Sequence, residues 1–122
     1  MKDKKTVLLI DDNLMLLDLV QKMLSETYDV KTVNSASGAI KYLNSSHADV
    51  ILLDIEMPNI SGFDFLNDVR CIPSYMKVPI IIVSGNSGED FFTQARNSSA
   101  FDVLTKPVKK EKLIDTIEKS LA

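Results

Sequence analysis

Residues 50–54 read Val50-Ile51-Leu52-Leu53-Asp54, an unbroken apolar run that ends in a carboxylate. A strand with one wet face alternates apolar and polar side chains, whereas a continuous run is the pattern of a strand covered on both faces. Similar runs recur along the chain. Thr6-Val7-Leu8-Leu9-Ile10 leads into Asp11-Asp12, Ile80-Ile81-Ile82-Val83 into Ser84-Gly85, and Phe101-Asp102-Val103-Leu104-Thr105 into Lys106-Pro107. With a shorter stretch near 29–33, the strands are expected at about 6–11, 29–33, 49–54, 79–84 and 101–105.

The intervening segments have helical period, at about 13–27, 36–46, 63–71, 89–98 and 109–121. In the first, Leu16, Leu19, Val20, Met23 and Leu24 form the expected core stripe, leaving Leu14, Met15 and Leu17 off it. In the last, Leu113, Ile117 and Leu121 share a face. Asp12 is the expected cap of the first helix, Ser35 or Ser37 of the second and Ser61 of the third. Gly85-Asn86-Ser87-Gly88 forms a turn before the fourth, and Pro58 and Pro107 each stop a ladder from continuing. Of the adjacent Phe91 and Phe92, only one can point fully into a core.

Strands alternating with helices imply an α/β domain with a parallel sheet, because parallel strands need crossover connections. Right-handed crossovers put helices on both faces, and ligands bind beyond the carboxyl ends of the strands. The polar residues that end the runs therefore converge on one edge.

The bulk properties fit one such domain over residues 1–122. The chain has 45% hydrophobic and 25% charged residues, and its net charge of −3 gives no global attraction to nucleic acid or an anionic membrane. No apolar run approaches the roughly 20 residues of a membrane span. A single cysteine, Cys71, excludes an intrachain disulfide and suits a reducing cytoplasm, while the single histidine, His47, disfavours a zinc site or a His-based triad.

Asp11, Asp12 and Asp54 brought together repel one another, and a divalent cation offsets that repulsion. Oxygen ligands without histidine or thiolate favour Mg2+ or Mn2+. The Lys106 ammonium and the Ser84 hydroxyl could each take an oxygen of a transferring phosphoryl group, with one carboxylate as nucleophile.

The set Asp11-Asp12, Asp54-x-x-Met57-Pro58-x-x-x-Gly62, Ser84-Gly85 and Lys106-Pro107 resembles the receiver domain of two-component response regulators, over the whole chain and in order. The resemblance implies a flavodoxin-like (βα)5 doubly wound sheet of order 2-1-3-4-5. It implies that Asp54 accepts phosphate from the phosphohistidine of a sensor histidine kinase or histidine phosphotransferase, switching contacts with a downstream protein. Asp12, Asp54 and the Glu56 backbone carbonyl would hold the metal, with Asp11 acting largely through water. Lys106 would pair with the phosphoryl group, Ser84 would swing to bond it, and Gly85 would keep the approach open. A cis peptide would join Lys106 to Pro107, and Glu56 and Asn86 would tune phosphoryl lifetime. Leu14 and Met15, exposed beside the site, are candidates for docking the phosphodonor.

One position departs from the family. Val103 stands where a receiver usually carries Tyr or Phe, the aromatic that reports phosphorylation, and Phe101 is the nearest substitute. Alternative readings are a phosphorylation-independent scaffold and a small aspartyl-phosphate phosphatase. The ends at Met1 and Ala122 favour a stand-alone regulator over the receiver of a larger protein.

Overall fold

A computed structural model describes residues 4–57, 61–86 and 88–122. Pro58 and Ser87 lie outside them. The elements follow in the order β1 (Thr6–Ile10), α1 (Leu14–Leu24), β2 (Asp29–Val33), α2 (Ala36–Ser45), β3 (Val50–Asp54), α3 (Gly62–Arg70), a 3-10 turn (Pro73–Tyr75), β4 (Ile80–Ser84), α4 (Glu89–Arg96), β5 (Asp102–Thr105) and α5 (Lys110–Leu121). All strand pairs are parallel, and the sheet order is β2-β1-β3-β4-β5, as expected.

The continuous apolar runs are explained by which helices they meet. Val7, Leu9, Val50, Leu52, Ile81 and Val83 face a core closed by α1 and α5. Leu8, Ile10, Ile51, Leu53, Ile80 and Ile82 face a second core closed by α2, α3 and α4. Successive strand residues point to opposite faces, so a strand with helices on both sides has no position left for a polar residue until it ends.

Helix α1 corrects the sequence reading. Leu17, expected off the core stripe, is buried with Val20 and Leu24, while Leu19, assigned to it, is half exposed. Leu16 and Met23 flank the true stripe, partly buried. Leu14 to Leu17 are all apolar, so hydrophobic periodicity admits two faces here. Packing against the sheet and α5 buries the Leu17 face, and the cap also differs from the expected one. It is Asn13, not Asp12: Asn13 Oδ1 accepts the N–H groups of Met15 and Leu16 at 3.0 and 3.2 Å, which fixes where the helix starts. Ser35 and Ser61 cap α2 and α3 as expected. Phe91 is buried and Phe92 half-buried, Cys71 is exposed at the end of α3, and His47 lies in an exposed loop, 2.7 Å from Asp49.

Two tertiary ties have no periodic signal in the sequence. Arg70 donates to the carbonyls of Tyr75, Val78 and Ser99 and to Ser99 Oγ, binding the far edge of the sheet, opposite the acidic strand ends, to the loop before β5. Tyr28 donates to Glu118, joining the start of β2 to α5.

At Gly62 the start of α3 passes against the chain just after β3. A Cβ there would lie 2.4 Å from the Ile55 carbonyl oxygen and 2.6 Å from Ile55 Cα, so backbone would have to shift. Gly62→Ala is expected to lower the free energy of unfolding by about 1–3 kcal/mol, the usual range for an overpacked site. Urea unfolding measures it, and an unchanged midpoint would contradict the close approach.

Candidate functional site

The sheet delivers its polar strand ends to one place. Ile10 pairs with Leu53, so Asp11 and Asp54 follow adjacent partners in the β1–β3 ladder. Ser84 pairs with Thr105, and the Lys106 N–H donates to the Ser84 carbonyl at 2.8 Å, which brings the lysine alongside the tip of β4. The Lys106–Pro107 peptide is cis, as the resemblance implied.

Asp11 and Asp54 are almost completely buried, at 1% and 3% exposure, while Asp12 is open to solvent. One oxygen from each of these three carboxylates lies within 4.8 Å of the others. Lys106 Nζ stands 3.4 Å from Asp11 Oδ2 and 3.7 Å from Asp54 Oδ1. Main-chain donors add to this: Asn13 N–H donates to Asp11 Oδ1 at 2.9 Å and Glu56 N–H to Asp54 Oδ1 at 3.0 Å. Burial pushes Asp54 up to about 6. The Glu56 N–H and Lys106 oppose the rise, and the neighbouring Asp11 reinforces it.

The residues fit a hard divalent cation. One ammonium faces two buried carboxylates, and Asp11 Oδ2, within ion-pair distance of Lys106, has no hydrogen-bond partner. A buried carboxylate oxygen in that condition is costly unless a further positive charge is supplied. The donor set is all oxygen, which suits Mg2+ or Mn2+.

Ser84 is buried, its Oγ accepting the Asn86 N–H at 2.9 Å, and Asn86 Oδ1 accepts the Gly88 N–H at 2.8 Å. Glu56 spans the site: its Oε1 accepts the Gly85 N–H at 3.0 Å. Glu56 and Gly85 are 29 residues apart, and no spacing rule could have found this contact. A Cβ at Gly85 would meet Glu56 Oε1 first, at an ordinary 3.7 Å.

Val103 is partly buried and packs against the core on the α4 side of the sheet. Beside it lies a groove of about 430 Å3 between α4 and β5, lined by Phe92, Ala95, Arg96 and Phe101 among others. Phe101 precedes β5 and is half exposed, so it borders this groove without filling it. Leu14 and Met15 are exposed at the start of α1, next to Asp12 in the chain.

The raised Asp54 value sets a pH dependence. Its carboxyl titrates higher in the folded protein than its ordinary 3.8, so its contribution to stability is intact below about pH 4 and is lost as pH rises through about 6. In EDTA, Asp54→Asn should therefore gain stability relative to wild type between pH 4 and 7. Urea unfolding across that window measures the difference, and a flat difference would contradict the raised value.

Residues 7–118 match the response regulator receiver domain family. A response regulatory protein of Vibrio cholerae is 33% identical over 121 residues, covering 95% of this chain and 48% of that protein. The cell cycle response regulator CtrA of Brucella ovis is 35% identical over 112 residues, covering 91% of this chain and 47% of CtrA. The chain thus spans about half the length of these curated relatives. Among solved structures, the chemotaxis protein CheY4 of Vibrio cholerae superposes with a TM-score of 0.90 at 27% identity, covering 97% of this chain and 99% of that one. The chain belongs to the response regulator receiver domain family.

Proposed function

We propose that this receiver domain, extending over the whole chain, is a phosphoacceptor in which Asp54 takes a phosphoryl group from the phosphohistidine of a histidine kinase or phosphotransferase. The observation that carries this is the convergence of Asp11, Asp12 and Asp54 within 4.8 Å, with Lys106 against two of them. A carboxylate oxygen of Asp54 attacks phosphorus; the new P–O bond makes an acyl phosphate as the P–N bond breaks. The electron pair of the broken bond returns to the imidazole nitrogen, which takes its proton from the donor site or solvent.

Asp12, Asp54 and the Glu56 carbonyl would hold Mg2+, or Mn2+, with Asp11 supporting it mainly through water. When bound, the cation supplies positive charge that offsets the carboxylates and the phosphoryl oxygens. Lys106 pairs with the phosphoryl group, and Ser84 turns from the Asn86 N–H to donate its hydroxyl proton to a phosphoryl oxygen. The domain catalyses only its own phosphorylation and dephosphorylation, with Glu56 and Asn86 setting the lifetime. Its output is a protein contact in the cytoplasm. Val103 lacks the rotamer swing of an aromatic, so the switch reaches the α4–β5 groove through Ser84 and its loop, with Phe101 at the groove's edge.

Acetyl phosphate with Mg2+ should label the protein stoichiometrically, Asp54→Asn should take no label, and Asn86→Ala should change the decay rate of the labelled form. An unlabelled wild type would instead favour a scaffold.

Met15 is 84% and Leu14 64% exposed, which is unusual for large apolar side chains beside a buried polar site and suits docking of a phosphodonor helix. The double variant Leu14→Ala/Met15→Ala should slow transfer from a phosphorylated histidine donor about tenfold, the effect of losing roughly 1.4 kcal/mol of contact. Its labelling by acetyl phosphate should match wild type. Equal slowing with both donors would place these residues outside the docking surface.

A further inference from the structure

Glu56 touches both of the loops that flank the site. Through its main-chain N–H it donates to Asp54 Oδ1 at 3.0 Å, and through its side chain it accepts the N–H of Gly85 at 3.0 Å. Gly85 follows Ser84 directly. The Ser84 hydroxyl oxygen is engaged by the Asn86 N–H, and Asn86 in turn holds Gly88. The β4–α4 loop is thus a chain of local hydrogen bonds anchored to the β3–α3 loop by one carboxylate. Bonds to a charged acceptor are the stronger kind, so this anchor is the principal polar tie between the two loops among the described residues.

We propose that Glu56 is a positioning residue acting through Gly85. Its carboxylate is a latch that holds the β4–α4 loop, and with it Ser84, in the resting arrangement, and a phosphoryl group on Asp54 releases that latch. This rests on Asp54 being the phosphoacceptor. Phosphorylation turns a singly charged carboxylate, which Glu56 already touches through its backbone, into an acyl phosphate of about two negative charges, a gain of about one. The Glu56 carboxylate is exposed and can swing into water, whereas the Asp54 phosphoryl group cannot leave. Like-charge repulsion therefore drives Glu56 off the Gly85 N–H, and the loop that carries Ser84 is freed to move.

The charge and the hydrogen bond can be separated. Glu56→Gln keeps an oxygen able to accept from Gly85 but carries no charge; Glu56→Ala removes both. Amide resonances of Gly85 and Asn86 report the latch, and beryllofluoride with Mg2+ serves as the phosphoryl probe. In the free protein, Glu56→Ala should shift both amides while Glu56→Gln leaves them near wild type. With beryllofluoride bound, the difference between wild type and Glu56→Ala at these amides should disappear. Glu56→Ala should also bind beryllofluoride about three- to tenfold more tightly, having no latch to break. Unchanged Gly85 and Asn86 amides in free Glu56→Ala would overturn the latch. A wild-type-to-Ala difference that persists with beryllofluoride would overturn its release. If wild type shows no response to beryllofluoride at any residue, the phosphoacceptor reading itself fails and the release step falls with it.

Discussion

Everything at this site depends on holding carboxylates together against their mutual repulsion. Asp11 and Asp54 follow paired strands in the middle of a parallel sheet, and both are buried. Neither can retreat into solvent without pulling on a strand packed from both sides by the helices. Lys106 and the N–H groups of Asn13 and Glu56 offset part of that repulsion, yet burial, reinforced by Asp11, still pushes Asp54 up to about 6, and Asp11 Oδ2 lacks a hydrogen-bond partner. A site with that residual deficit is built to take up positive charge. The rigidity of the two cores keeps that deficit in place.

The surrounding loops are of a different character. Ser84 sits at the end of a buried strand, but its hydroxyl is engaged by the first turn of an exposed loop. Glu56 is itself exposed and reaches across to the same loop. Buried ion pairs thus fix the carboxylates in place, while solvent-facing hydrogen bonds hold the loops beside them. Local stability is distributed in the same way in many proteins, the mobile elements being those with few buried contacts. Beside Val103 a groove lies between α4 and β5.

Much of this was legible in the chain. The strand ends, the sheet class, the convergence of Asp11, Asp54, Ser84 and Lys106, and the caps at Ser35 and Ser61 all follow from local pattern. Helix α1 was not read correctly. Four apolar residues in its first turn satisfy two helical faces equally, so Leu17 and Leu19 exchanged places and the cap moved from Asp12 to Asn13. The Arg70 cluster, the Tyr28–Glu118 bond and the Glu56–Gly85 contact were invisible, because each joins residues whose separation carries no periodic signal.

By itself the sequence determined the secondary elements and the chemistry available at their ends, because hydrophobic period and strand-terminal polarity are local properties of the chain. Only the tertiary structure decided how that chemistry is balanced. Which carboxylate is buried, which oxygen lacks a hydrogen bond, and which side chain ties one loop to the next depend on distances across the sheet. Those distances are set by strand register and helix packing, and no spacing along the chain encodes them.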